Sequence, residues 1–441
     1  MGDANKEKIK EKINNYFSFY KPEIYDNLKK LMEIKSRTDD REKTKEALAF
    51  VLELAASFGM KTTLGKYEDV GVIEIGEGEE TLGLLAHVDV VPEGDISAWE
   101  FDPFTLTQKD GVLYGRGIVD DKGPVIMSLY ALRFVKENVP QIKRKIQLIV
   151  GTSEETVWND MVHFKEEFAL PDYGYSPDGN FPIYHAENGY IDIILAFNLN
   201  PESEAENYTD VYGGTAPNSV PSEAKFTLNG EEKVFKGKAA HSSAPWLGEN
   251  AIMKMADAMP DPKPDFARFL LDFFPEDVYS SKLTLEKDPS IVIDGEVPPT
   301  TIVPTLIRQI GKQVGINFNV RQAMDIPNAN ILAAFEKEKD NYHFELSILE
   351  SLSPIYVDRH QPWMQRMAST YEFYGLKNEF LLAPGCTYAK TIPNFVCWGP
   401  LIPGDLDCAH MENEQSKESS YFLAAEIYTM FLYEEAQLAK M

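Results

Sequence analysis

The sequence predicts an α/β protein: an α/β domain on a mixed, mainly parallel sheet, interrupted by an inserted α+β domain. Three observations carry this. Continuous apolar runs such as TLGLLAHV at 81–88 and KIQLIVGTS at 145–153 fit strands covered on both faces. Between them Pro124 opens VIMSLYALRFVKENV, whose apolar residues recur at helical spacing behind a first-turn proline. After Gly189 the texture changes to more open, alternating runs such as IDIILAFNLN and AKFTLN, and near residue 355 the α/β texture returns.

Taken in order, residues 5–60 predict helices over KIKEKINNYF, YDNLKKLMEIKS and KTKEALAFVLELAASFGM, the last stopped at Gly59. VGVIEIG at 70–76 and TLGLLAHV follow as strands, then the Pro124 helix and the strand at 145–153. In the inserted region, EKVFKGKAAHSS adds a strand, and helices are expected near 248–258 and 266–274. TTIVPTLIRQI and KQVGINFNVRQ read as a hairpin around Gly311-Lys312, followed by a helix in NANILAAFEKEKD and a strand in YHFELSILES. Beyond these come a helix at 361–375, strands in NEFLLAP and FVCWGP, and a long last helix from KESSYF onward. This order makes residues 1–189 and 355–441 the catalytic domain and 190–354 the insertion.

At 441 residues the chain exceeds one ordinary core, and 44% hydrophobic with 26% charged residues is ordinary for a globular protein. Forty-three basic against 70 acidic side chains give a formal charge of -27 with no basic stripe, which argues against a nucleic-acid partner. Cys386, Cys397 and Cys408 form no CxxC pair, and three cysteines are too few for a disulfide-stapled fold, so a cytoplasmic protein is expected. The charged start MGDANKEKIKEKINNYF lacks the apolar stretch of a signal peptide. No run approaches the roughly 18 apolar residues of a membrane span, so no membrane partner is expected.

Seven side chains stand out because each follows an apolar run or sits in a Gly/Pro-rich turn. They are His87 and Asp89 in LLAHVDVV, Asp120 in YGRGIVDDKG, Glu154 and Glu155 in LIVGTSEET, Asp178 in YSPDGNFP and His410 in DLDCAHMENE. Two imidazoles with three or four carboxylates suit two divalent cations sharing a carboxylate better than one structural zinc. One carboxylate left beside such a pair is what a metal-assisted hydrolase needs as its base. Singly, each residue has a plainer reading. His-x-Asp can be structural, Asp120 or Asp121 can cap the following helix, and Asp178 can be an Asp-Gly turn residue. Adjacent Glu154 and Glu155 repel each other unless a cation lies near them.

Together, HVDVVPEGD with a following Trp and FDPF, YGRGIVDDKGP, GTSEE, SPDGNFP, GKAAHSSAP and a late Ala-His resemble a known family. It is the co-catalytic metallopeptidase family of carboxypeptidase G, the aminoacylases and the PepV-type dipeptidases. DDKGP and the size of the insertion resemble the PepV branch, whose enlarged lid lets a monomer close its own site. The resemblance implies that Asp120 bridges two zinc ions, with His87 and Asp178 completing one site and Glu155 and His410 the other. Manganese or cobalt would be tolerated in place of zinc. Glu154 would be the general base and acid, acting on a water bridging the metals, and Asp89 would orient His87. His241 would stabilise the oxyanion from the lid. Asn218, Arg321 and the loop with Gly385, Thr387 and Lys390 would hold substrate. That loop departs from the family pattern at Cys386 and Lys390, and the usual Tyr-Pro is missing after Arg321. The implied activity is hydrolysis of dipeptides with a free C-terminal carboxylate, a small-peptide partner. The alternative is an N-acyl-amino-acid amidohydrolase of the desuccinylase or aminoacylase type. The expected assembly is a monomer, with a homodimer as the alternative.

Overall fold

The structure is a computed structural model that describes residues 2–199, 208–274, 282–291, 293, 297, 299–383 and 387–439. The chain divides into two compact units. One comprises Met1–His185, Val357–Leu381 and Thr387–Met441, and the other Ala186–Tyr356 and Leu382–Cys386.

The first unit is built on a mixed, partly parallel sheet. Its strands run in the order Lys61–Leu64, Val70–Ile75, Lys145–Gly151, Thr81–His87, Tyr173–Ser176, Phe395–Trp398 and Ile183–Glu187. The middle four are parallel, while Lys61–Leu64, Val70–Ile75 and Ile183–Glu187 join antiparallel. Residues 82–87 and 146–151 are buried without alternation, because helices and loops cover both faces. The helix Lys122–Asn138 is buried along most of its length and packs against Asp3–Glu33 and Glu418–Glu435.

The N-terminal region differs from expectation. One helix, Asp3–Glu33, runs through Pro22 where two were predicted. An interior proline costs about 3 kcal/mol. Ile13, Phe17, Ile24, Leu28, Leu31 and Met32 all join the core from this helix. Each such side chain contributes about 1.5–3 kcal/mol when buried, so packing outweighs the local defect. The helix Asn159–Glu167 and the strand Tyr208–Gly213 were not anticipated. In the latter, Asp210 at φ +55° interrupts the strand run.

The second unit carries an antiparallel sheet in the order Glu231–Lys236, Glu223–Leu228, Tyr208–Gly213, Thr301–Ile310, Gln313–Gln322, Gly189–Asn198 and Phe344–Leu352. Ile191, Ile193, Leu195 and Phe197 alternate into a core with Ile252, Met255, Phe266, Phe269, Leu270, Ile331 and Phe335. Those partners come from the helices Ala251–Asp257, Asp265–Phe273 and Asn328–Glu336. Tyr190 and Asp192 point to the opposite face, as the two-residue strand period requires. Ile310 pairs with Gln313 across a two-residue turn in which Gly311 takes φ +60°. Among the described residues no helix is long and apolar enough to cross a membrane.

Candidate metal centre

The loops of the centre leave one edge of the first unit's sheet. His87 ends the strand Thr81–His87, Glu154 and Glu155 follow Lys145–Gly151, and Asp178 follows Tyr173–Ser176. Pairing of His87 with Gly151 and of Leu84 with Tyr175 brings these exits level at the carboxyl ends of parallel strands. Asp120 arrives on the turn before Lys122–Asn138, where Gly117 holds φ +88°, a value that favours glycine. The peptide joining Asp120 to Asp121 is cis. His410 lies between Phe395–Trp398 and Gln415–Lys417.

Three groups of donors result, and Asp120 belongs to two of them. In one, His87 Nε2 lies 3.0 Å from Asp120 Oδ1 and 3.7 Å from Asp178 Oδ2. In the other, His410 Nε2 lies 2.9 Å from Asp120 Oδ2 and 3.0 Å from Glu155 Oε2. Within each group the ligand atoms lie within 4.8 Å of one another, close enough to surround a single ion. Glu154 stands beside them, its carboxylate grouped with His87 and Glu155.

The donor chemistry fits cations. His87 Nδ1 faces the Asp89 carbonyl oxygen at 3.0 Å, and a carbonyl only accepts, so the ring hydrogen is assigned to Nδ1. Nε2 then directs a lone pair at two carboxylates. Neither Nε2 nor Asp120 Oδ1, both buried, makes a hydrogen bond. Such an arrangement repels unless a proton or a cation lies within it. Two imidazole nitrogens with three carboxylates suit zinc, manganese or cobalt.

Asp89 reaches further than the His87 ring. Its carboxylate lies 3.3 Å from His87 Nδ1 and also accepts the backbone N–H groups of Glu154 and Glu155, each at 3.2 Å. One buried carboxylate therefore orients an imidazole and both neighbouring glutamates.

In the protein alone, protons balance the charge of this cluster. Hydrogen bonds to Asp120 and then Glu155 push His410 up to about 11. Burial opposes protonation of His87, yet its contacts with Asp120, Asp178 and Asp89 raise it well above the ordinary imidazole value. For Asp120, burial acts upward, but the contacts with His410 and His87 prevail and hold it below the usual carboxylate range. Burial, followed by the Asp120 charge, pushes Glu155 up to about 7. Glu154 is raised well above its ordinary value by burial and then by Asp178.

Tyr388, Asp160 and Glu414 escaped sequence reasoning, as did the role of Asp121. Asp121 occupies the helix N-cap position but makes no side-chain cap hydrogen bond; its carboxylate accepts the His87 N–H at 2.9 Å instead. The Tyr388 hydroxyl donates to Asp160, which also accepts the N–H groups of Thr152 at 2.6 Å and Ser153 at 3.0 Å. The Tyr388 ring stands edge-on to His87, 6.0 Å between centroids. Glu414 is fully buried four residues after His410. Tyr388 sits in the PGCTYAK loop already singled out and Glu414 in the MENE segment, whereas Asp160 offers no sequence signal.

In the second unit, Ser242 N–H donates to the Asn218 carbonyl at 2.9 Å, and the backbone of His241 bridges to Ser219. The Ser243 N–H points at His241 Nδ1 at 3.2 Å, so that nitrogen accepts and the hydrogen is assigned to Nε2. Partial burial and then the Arg321 guanidinium hold His241 below the ordinary imidazole value. Arg321 pairs with Tyr190 across the sheet, its guanidinium 4.9 Å from the centre of the Tyr190 ring. Thr387 accepts the Ala389 N–H at 3.2 Å, and the Lys390 N–H donates to the Thr387 carbonyl at 3.1 Å. Gly385 lies outside the described residues, as does Cys386. His163, His185 and His343 bond to Asp69, the Val357 carbonyl and Asp265 respectively. With His360, they take no part in any cation-ready group among the described residues.

Residues 83–434 match peptidase family M20/M25/M40. The chain is 30% identical over 428 residues to "Putative dipeptidase YtjP" of Bacillus subtilis, covering 89% of this chain and 90% of that one. It is 28% identical over 476 residues to "Putative dipeptidase SH1171" of Staphylococcus haemolyticus, covering 96% and 98%. The fold is similar to that of the aminoacylhistidine dipeptidase from Vibrio alginolyticus, with a TM-score of 0.61 at 14% identity over 95% and 97% of the two chains. A shared carboxylate between two imidazole-bearing donor groups, at the strand ends of an α/β unit, is the equipment of a metal-dependent hydrolase, and the chain belongs to the metallopeptidases of family M20/M25/M40.

Proposed function

We propose that the protein is a dipeptidase acting on dipeptides with a free C-terminal carboxylate. It would hold two divalent cations, zinc first among them. His87 and Asp178 would hold one, Glu155 and His410 the other, with Asp120 between. The observation that carries this reading is the membership of Asp120 in two donor groups, with Glu154 beside them in a third with His87 and Glu155. Cations there would supply Lewis acidity, polarising the scissile carbonyl and bringing the pKa of a shared water toward neutrality.

The chain's own groups do the rest. Glu154, whose proton affinity is raised by burial and by Asp178, takes a proton from the attacking water and delivers it to the leaving amine. Asp89 keeps the Glu154 backbone and the His87 ring in fixed relation. His241, neutral and with its hydrogen on Nε2, is suited to donate to the carbonyl oxygen as negative charge develops there. The planar Arg321 fork matches the substrate carboxylate, and Asn218, Gly385, Thr387 and Lys390 add polar groups around it. On this reading residues 1–189 and 355–441 form the catalytic domain and 190–354 its lid, working as a cytoplasmic monomer. The dipeptidase names of the relatives support the substrate class.

A panel of dipeptides, N-acetyl amino acids and N-succinyl amino acids tests the assignment. Dipeptides should be cleaved, a chelator should abolish cleavage, and zinc, manganese or cobalt should restore it. Hydrolysis of the N-acyl compounds alone would overturn the substrate class in favour of an amidohydrolase. Full activity in metal-stripped protein would overturn the metal assignment.

A further inference from the structure

The buried carboxylate of Glu414 fills a cradle of backbone donors. Its Oε1 accepts the N–H groups of Val119 at 2.9 Å and Asp120 at 3.3 Å. Its Oε2 accepts the Gly117 N–H at 3.0 Å and Arg116 Nη1 at 2.8 Å. Successive backbone N–H groups converging on one point make an anion nest, and here the anion belongs to the same chain. Arg116 closes the arrangement from outside, donating to the Pro92 carbonyl at 3.3 Å and lying 5.3 Å from the centre of the Trp99 ring.

The cradle also joins two distant segments. The Glu414 carbonyl accepts the Gly115 N–H at 3.0 Å, and the strand Gln415–Lys417 pairs with Val112–Tyr114. The turn that presents Asp120 is therefore fastened directly to the segment that presents His410. Those two side chains meet at 2.9 Å.

We propose that Glu414 is a positioning residue that pre-assembles the Asp120–His410 half of the centre before any cation arrives. The proposal rests on the reading that the centre holds two cations. Without the carboxylate, three N–H groups lose their common acceptor and the turn is free to rearrange. A cation must then order that turn as it binds, and its affinity falls by the ordering cost. Asp120 is shared, but His87 ends one strand of the sheet and Asp178 follows another, so the other cation loses one positioned donor where the His410 site loses two. A purely structural ion pair between Glu414 and Arg116 makes a different forecast: lower stability with unchanged metal affinity.

The experiment titrates the metal-stripped, full-length protein with zinc against a chromophoric chelator, comparing the unmutated chain with Glu414→Gln and Arg116→Lys. Glu414→Gln should weaken one of two zinc-binding steps by about 10–100-fold and the other by a smaller factor. Arg116→Lys keeps the nest occupied; it should lower the unfolding temperature and leave both steps within about threefold of the unmutated protein. Unchanged zinc binding in Glu414→Gln, equal weakening of both steps, or an equal effect from Arg116→Lys would each overturn the proposal. Hydrogen exchange on the unmutated, metal-free protein gives an answer that needs no variant to fold. The amides of Gly117, Val119 and Asp120 should be protected there, and rapid exchange would count against pre-assembly. If the unmutated chain binds no zinc, the two-cation reading fails, while the exchange result still decides whether the nest forms.

Discussion

His410 Nε2 stands 2.9 Å from Asp120 Oδ2. The other oxygen of that carboxylate faces His87 Nε2 at 3.0 Å. One side chain thus stands between two imidazoles delivered by segments far apart in sequence. Its two oxygens cannot be exchanged for the single acceptor of an asparagine without breaking one of the relationships.

The neighbouring glutamates should separate on mutation. Glu154→Gln keeps the shape but cannot carry a proton, so both metals should remain while turnover falls by about 10²–10⁴-fold or more. Glu155→Gln removes a carboxylate facing His410 and should lower metal content. Metal analysis beside steady-state rates checks both; the reverse pattern would exchange the roles of the two residues.

Metal binding should release protons. In the metal-free protein His410 is raised to about 11 and His87 well above the ordinary imidazole value by the surrounding carboxylates. Both should carry a proton at neutral pH, and a cation must displace it. Zinc binding near pH 7 should therefore release protons and tighten as pH rises. The sign for stability is opposite in the metal-free fold. Imidazolium–carboxylate attraction is fully present below the unfolded imidazole value of about 6.5 and is lost as pH rises through the folded value. Calorimetry in buffers of different ionisation enthalpy measures the release, and pH-independent binding would refute it.

Glu435 is the counter-charge of a buried cation. Arg144, fully buried, meets Glu435 through Nη1 and Glu80 through Nε at 2.7 Å. Tyr173 donates to Glu435 at 2.7 Å, and Arg366 reaches it from the other side. Glu435→Ala should destabilise the protein by about 3–5 kcal/mol, because Arg144 keeps its charge and loses its principal partner. Urea unfolding reads this directly. A loss below about 1 kcal/mol would mean that the pair behaves like an exposed one.

Substrate grip should depend on the terminal carboxylate. A dipeptide amide withholds the carboxylate charge that the planar Arg321 fork is suited to grip. Amidated dipeptides should therefore show kcat/KM at least about a hundredfold lower than free ones. Arg321→Ala should erase most of that difference. Equal kcat/KM on both substrates in the unmutated enzyme would give Arg321 another role.

Some features were legible in the residues because the physics that selects them is local. A strand buried on both faces must be largely apolar, as 82–86 is throughout and 146–150 is but for Gln147, whose amide donates to Glu74. A helix that opens with Pro124 and repeats its apolar residues at helical spacing announces itself. Imidazoles and carboxylates are ready donors to divalent cations, and such residues at the ends of apolar runs are uncommon enough to be noticed. The helix through Pro22 was hidden because the local penalty is visible in the sequence and the compensating core contacts are not. Asp121 reads as a candidate cap for the same reason, its partner being the backbone of His87 at the end of a strand distant in sequence.

By itself, then, the sequence determined the type of most elements, a change of texture after Gly189, and a set of residues chemically able to hold cations. Only the tertiary structure decided which of them meet. Parallel register levels His87, Glu155 and Asp178 at one sheet edge, and Glu414 fastens the Asp120 turn to the His410 segment. Residue type is fixed by short-range chemistry, whereas the distance between two side chains depends on every packed contact and hydrogen bond between the segments that carry them.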